Sequence, residues 1–395
     1  MKSLQKNIPK LYLIKITKWF MLFMPIVIPF FESNRLNFED VMQLQALHAL
    51  SMVLFEIPSG YFSDKLGRKN TMIVGCIFGC LGFSVFTQSH LFWHFMIGNM
   101  FIGIGDSFIS GTDSALLYDT LFDLDRKKDY LKYEGRTVSL GNYAEALAAL
   151  VGGTLVLHFG FRSAYYGQAF LAFLSVLTAF TLVEPHKYKD HVTPSIKQTF
   201  KVMFDSMFNH PILSWNIILS SIIGVSTLVM AWFSQKYFQH IGIDIAYNLY
   251  IWAILNVIVG LVSWYAWKWE RKLGKELTVL IIVFGIPSIF FVMAPFTYWF
   301  AIGLLFAFYA LRGLATPILR DYVQQFCPPE LRATIMSIRS FLIRIIFIVF
   351  GLFIGWLTET QTIAITLVIA GSIVAIICFI CYWRLSVNRF FKVSN

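Results

Sequence analysis

Charge is scarce in this chain: Asp, Glu, Lys and Arg make up 14% of its 395 residues, against 57% hydrophobic ones. No polar stretch is long enough to fold as a soluble domain, and no nucleotide-binding Gly-Lys-Ser/Thr loop or cluster of metal ligands appears, which speaks against ATP as the energy source and against any metal or other cofactor. A nucleophile paired with its base is missing as well, so an enzyme is not expected. The cysteines are few and odd in number, Cys76, Cys80, Cys327, Cys378 and Cys381, and four lie in apolar runs. Cys378-x-x-Cys381 therefore reads as small packing residues rather than a redox pair. The first apolar run is read as following Lys2, Lys6, Lys10, Lys15 and Lys18. No small-residue cleavage site comes after it, so it reads as an uncleaved first span and not as a signal peptide.

What is present is apolar bulk: 40 Phe and a mean hydropathy of +0.66. Lipid must be the solvent for such a surface. Apolar runs of membrane-crossing length number twelve, near 11–31, 41–62, 70–89, 91–118, 136–158, 161–183, 211–236, 246–267, 276–295, 298–319, 333–357 and 360–383. The net charge of +10 would suit nucleic acid, but its distribution does not. Only Arg35, Arg162 and Lys236 are placed on the far side, with Arg312, Arg339 and Arg344 inside apolar segments, and every other Lys and Arg falls in near-side segments. That asymmetry predicts a multi-pass protein with both termini in the cytoplasm and no nucleic-acid partner.

The least apolar interior stretch, Glu184 to Asn209, separates six spans from six. It predicts bundles over 1–183 and 211–395 joined by a cytoplasmic linker, 184–210. A faint internal repeat agrees. Glu270-Arg-Lys-Leu-Gly274-Lys275 is a worn copy of Asp64-Lys-Leu-Gly67-Arg68-Lys69, and Asp119 followed by Arg136 is echoed by Asp321 followed by Arg332. Gly75-x-x-x-Gly79, Gly152-Gly153 and Gly351-x-x-x-Gly355 predict close helix contacts.

The loop after the second run carries Gly60, Asp64, Gly67, Arg68 and Lys69 in the order Gly-x-x-x-Asp-x-x-Gly-Arg-Lys. There Gly60 suits close backbone approach, Gly67 a turn, and Asp64 a helix N-terminus. This pattern between two spans resembles the signature of the major facilitator superfamily, and the resemblance covers essentially the whole chain. It implies an all-α membrane protein of twelve helices in two pseudo-symmetric bundles, in which spans one, four, seven and ten line a central cavity. It also implies that Asp119, at the end of span four, partners Arg68 in a latch on the outward-open state, with Asp64 facing span eleven and Arg136 as a further member.

Ionisable groups at membrane depth are candidates for transport. Asn99, Asp106 and Asp113 recur every seven residues in span four, and Tyr309, Arg312, Thr316 and Arg320 share a face of span ten. Under the resemblance, Asn99, Asp106, Tyr309, Arg312 and Thr316 face the solute, with Arg312 pairing its carboxylate or phosphate; a structural acid neutralising Arg312 is the competing reading. Asp106, Asp113, Glu56, Glu145 and His48 are the candidate carriers of a coupling proton, although a hydrogen-bonded packing role is open for His48. The resemblance sets span two against span eleven, so Glu56 with Arg339 or Arg344 is a candidate interdomain pair, moving or static.

Two features depart from the best-known drug exporters of the family. Asn99 stands where they carry an Arg, and Ala144 to Gly153 lacks their Gly-Pro motif. The expectation is a monomeric, proton-coupled secondary transporter of a small anionic solute, a nutrient or polycarboxylate siderophore, in a bacterial inner membrane. The alternative is proton-driven efflux of drugs.

Overall fold

In lipid each backbone polar group must find its partner within the protein, which a helix achieves inside a single segment. The computed structural model accordingly contains helices and no strand among the residues it describes, 2–126, 129–185, 209–296, 298, 301–326, 332–388 and 390–392. Positions 186–208, most of the expected linker, lie outside the described residues. The helices of the first half are α1 (Asn7–Trp19), α2 (Val27–Ser33), α3 (Phe38–Leu66), α4 (Arg68–Gln88), α5 (Phe92–Ile109), α6 (Thr112–Asp123), α7 (Tyr130–Phe159) and α8 (Arg162–Phe180). Those of the second are α9 (Pro211–His240), α10 (Ile245–Leu273), α11 (Lys275–Met293), α12 (Ile302–Gln325), α13 (Arg332–Thr360) and α14 (Ile363–Val387).

Ten helical segments among the described residues are long and apolar enough to cross a membrane, the first formed over Asn7–Ser33. The two remaining expected spans are helical too. One is α3, whose start is fixed by reciprocal bonds: Asp40 N–H donates to Asn37 Oδ1 at 2.8 Å and Asn37 N–H to Asp40 Oδ2 at 3.0 Å. The other is α5 with α6.

Two spans expected to be continuous are broken. Span one stops at Trp19 and resumes through a 3-10 turn, Met24–Ile26, where Pro25 brings a fixed φ and no N–H. The gap is closed by protein rather than lipid: Leu22 N–H donates to the buried Gln168 Oε1 of α8 at 3.2 Å. Glycine in α7 permits this fit, because a Cβ on Gly152 would lie 2.1 Å from Leu22 O. Span four breaks at Ser110-Gly111, where Gly111 takes φ +79, a left-handed conformation open to glycine at little cost.

Two compact units divide the chain, Met1–Val192 with Ile245–Ala253 and Thr193–Asp244 with Ile254–Asn395. Inside the first, α4 packs on α5 and α8, and α1 on α7 and α8. Inside the second, the helices six spans later repeat the scheme: α11 on α12 and α14, and α9 on α13 and α14. Small residues set these distances. On Gly105 of α5 a Cβ would come within 2.7 Å of Gly75 O and 2.8 Å of Gly79 N on α4, which is the close contact predicted for Gly75-x-x-x-Gly79. Arg162 ties the far end of the first unit together, donating to Thr87 O, Asn34 Oδ1 and Ser89 O.

Candidate functional site

Asp106 occupies the last turn of α5 and Asp113 the first turn of α6, on either side of the Ser110-Gly111 break. Each carboxylate meets a lysine of α1. Lys18 Nζ lies 2.9 Å from Asp106 Oδ1, and Lys15 Nζ lies 3.3 Å from Asp113 Oδ2. The lysines are three residues apart and so share one helical face, which stacks the two ion pairs along α1. Asp113 gains further support from its position at a helix N-terminus, where its Oδ1 accepts from Ser114 N–H at 2.8 Å. The second oxygen of Asp106 lies 3.1 Å from His48 Nε2 of α3. That approach depends on Gly103: a Cβ there would sit 2.7 Å from His48 O.

Beside the pairs is a small cavity lined by Lys15, Lys18, Asp113, Ser114, Glu134 and Thr137 together with apolar side chains. Glu134, on α7, accepts from Ser114 Oγ at 2.8 Å through Oε1, while its Oε2 is buried with no hydrogen-bond partner among the described residues. The sequence reading missed Lys15, Lys18 and Glu134. Both lysines had been counted with the near-side charge before the first span, whereas they lie on the helix itself and face span four. The available signal was their spacing of three within a run that is otherwise apolar from Leu11.

The other candidates fall in varied settings. Asn99 is buried and its Nδ2 donates to Phe95 O of its own helix at 3.0 Å. Glu56 and Glu145 are partly buried on α3 and α7. In the second unit Tyr309 is fully buried and the Arg312 guanidinium lies over its ring, 5.3 Å from the centroid. Thr316 Oγ1 donates to Arg312 O at 2.8 Å. Arg339 donates from Nε to Ser220 Oγ at 2.5 Å, and Arg344 is partly buried on the same helix. Among the described residues no group of three His, Cys, Asp or Glu side chains gathers as a metal site.

At the signature loop, Arg68 Nε lies 3.5 Å from Asp119 Oδ2, and its Nη1 donates to Ser63 Oγ at 2.7 Å. The anion at the N-terminus of α4 is Glu184, whose two oxygens each accept at 2.7 Å from Arg68 N–H and Lys69 N–H. Gly67 has φ +98, a conformation that favours glycine, and a Cβ on it would fall 2.6 Å from Glu184 Oε1, so any other residue would have to displace the capping carboxylate. The side chain of Asp64 lies outside the described residues. Gly60 corrects an expectation: a Cβ there meets no neighbour within 4 Å, because this face of α3 is exposed rather than packed. Arg136 is exposed, with its guanidinium 5.7 Å from the ring centroid of Tyr133.

The family model described as Major Facilitator Superfamily matches residues 12–350. Among curated relatives, an uncharacterized transporter of Buchnera aphidicola subsp. Acyrthosiphon pisum is 30% identical over 132 residues, 33% of this chain and 32% of its own length. Multidrug resistance protein MdtL of Klebsiella pneumoniae is 28% identical over 139 residues, 34% of each chain. The chain thus spans about a third of the length of the curated relatives it matches. Among solved structures, a mutant of the nucleoside transporter NupG superposes with a TM-score of 0.80 at 13% identity, over 96% of this chain and 99% of that one. A D-xylose–proton symporter gives 0.68 at 14% identity, over 95% and 96%. At these identities the likeness speaks for the fold.

Proposed function

The chain belongs to the major facilitator superfamily and is a membrane transporter, and we propose that it carries a small anionic organic solute together with protons across the bacterial inner membrane. Access alternates as the two six-helix bundles rock, and both termini face the cytoplasm. One observation supports proton coupling above the others. Asp113 and Glu134 line the cavity with Lys15 and Lys18, and Asp106, outside that lining, pairs with Lys18, so three carboxylates stand with two ammonium groups. With His48 neutral the group is short of one positive charge, and an unbalanced charge at membrane depth is strongly unfavourable. A proton on His48 or on one of the carboxyl groups restores the balance.

The negative group of the solute belongs with Arg312, which has no carboxylate partner in its own unit among the described residues and whose planar fork of donors fits a carboxylate. Arg68 with Asp119, Glu184 and the signature residues forms the latch of the outward-open state, and Glu56 with Arg339 or Arg344 joins the bundles in part of the cycle. A nutrient or polycarboxylate metal chelator is the solute class in view. The name of the Klebsiella relative favours drug efflux as the second reading; Asn99 and the missing Gly-Pro of span five weigh against it. Internal pH of proteoliposomes on addition of candidate solutes, for wild type, Asp106→Asn and Arg312→Ala, separates the two. Proton movement driven by a carboxylate solute and abolished by either substitution supports the anion reading. Proton movement driven only by lipophilic cations, and indifferent to Arg312→Ala, overturns it.

A further inference from the structure

Arg339 is a cation at membrane depth whose one hydrogen-bond partner among the described residues is neutral, Ser220 Oγ. It stands seven residues into α13, about 10 Å along the helix at ~1.5 Å per residue. The like charge of Arg320 on α12 bears on it, and no carboxylate of the second unit pairs with either arginine among the described residues. A buried guanidinium without a counter-ion is costly, and an arginine in a membrane helix is kept where something anionic meets it. Ser220 accepts from Arg339 Nε, which leaves its own O–H free to donate.

A second observation lies one turn away on the same face of α9. Asn216 donates from Nδ2 to Ile212 O at 2.8 Å, yet its Oδ1 is buried with no hydrogen-bond partner among the described residues. An acceptor left open one turn from the serine that holds Arg339 describes a ligand that carries both anionic oxygens and an O–H. Leu213, Ile217, Val323, Ile335 and Ile338 form an apolar cluster among the same helices, a surrounding in which a charge-assisted hydrogen bond is strong.

We propose that Arg339, Ser220 and Asn216, with Arg320 as supporting charge, form a subsite for a hydroxycarboxylate. Its carboxylate accepts from the Nη groups of Arg339 and from Ser220 Oγ, and its hydroxyl donates to Asn216 Oδ1. The subsite rests on the anionic-solute reading above and adds to it an anchor separate from Arg312.

The test is ligand-dependent thermal unfolding of the purified, detergent-solubilised protein, titrated with malate, with succinate, which lacks only the hydroxyl, and with inorganic phosphate. Malate is expected to stabilise wild type at lower concentration than succinate does. Arg339→Gln should weaken malate about tenfold or more, the loss of one charge-assisted contact, with partial recovery in Arg339→Lys. Asn216→Leu should erase the preference for malate over succinate while leaving succinate unchanged. Arg320 is exposed, so Arg320→Gln should fold and weaken both acids a few fold; if Arg339→Gln does not fold, these last two variants decide. Unchanged malate binding in Arg339→Gln and Arg320→Gln, with loss in Arg312→Gln, overturns the subsite and leaves the anionic-solute reading standing. Failure of every carboxylate to stabilise wild type overturns both, and stabilisation by phosphate alone overturns the hydroxycarboxylate.

Discussion

Replacing Lys18 by Met removes one partner of the Asp106 pair while keeping the bulk of the side chain. At 2.9 Å the Coulomb attraction is about 6 kcal/mol for an effective dielectric near 20. Desolvation offsets part of it, and the side chains are 29% and 26% exposed, so the net loss is set at about 2–4 kcal/mol, shifted down from the about 3–5 kcal/mol of a fully buried pair. Lys15→Met breaks a contact of 3.3 Å worth about 5 kcal/mol by the same arithmetic. Its loss should be smaller, about 1–2 kcal/mol, because Asp113 keeps a helix N-terminus and the Ser114 N–H when its lysine is gone. Among the described residues Asp106 keeps only the His48 ring. The double variant Lys18→Met/Asp106→Asn should be less destabilised than the sum of its parts by about 2 kcal/mol, since it leaves no orphaned charge. Reversible unfolding in mixed micelles gives all four values. Equal effects of Lys15→Met and Lys18→Met, or additivity in the double variant, would refute the view that Asp106 depends on Lys18.

At the signature loop, Gly67→Ala is expected to lose more stability than Glu184→Gln by the same unfolding assay. The alanine adds left-handed strain of about 1–2 kcal/mol and also pushes the Glu184 carboxylate off the N-terminus of α4, whereas Glu184→Gln keeps a neutral acceptor. Around the break in span one, Gly152→Ala drives a methyl group to 2.1 Å from Leu22 O and should abolish the folded fraction in size-exclusion chromatography. Gln168→Leu, which leaves the Leu22 N–H only its bond to Phe20 O, should lose about 0.5–1.5 kcal/mol, and Gly60→Ala, with open space around it, should stay within about 0.5 kcal/mol of wild type.

The fold was legible because its signals are long and periodic: runs of membrane length, a six-and-six division, a signature loop between two spans. Arg68 and Asp119 were also foreseeable, since the resemblance carries that pair residue by residue, and the structure brings them to 3.5 Å. What could not be seen has a common cause. Lys15 and Lys18 look like the basic flank of a first span under any hydropathy rule, because such rules push lysine outward and do not know that an acid from another helix will receive it. Glu184 sits 117 positions after Gly67 in the numbering, yet caps the very next residues. The breaks were hidden for a different reason. Ser110-Gly111 and Phe20 to Phe23 are short interruptions inside runs whose average stays apolar, so a window of membrane length passes over them.

Those breaks bear on how the first unit works. A chain interrupted inside a bilayer exposes backbone groups that lipid cannot satisfy, and such interruptions persist only where protein supplies the missing partners. Gln168 supplies one at span one, and at span four Ser110 N–H is taken by Asp106 O at 2.8 Å. Lys18, one residue before α1 ends, is bound to Asp106, three residues before α5 ends. The ion pair therefore joins the last turns of two helices just before each gives way. On the proton-coupled reading proposed above, a proton taken up by Asp106 would remove the charge that holds these two ends together, at the two points where the backbone is already discontinuous. Under the proposed proton coupling, proton binding and helix movement would fall on the same few residues, which is the arrangement coupling requires if a gain or loss of charge is to shift the balance between two conformations.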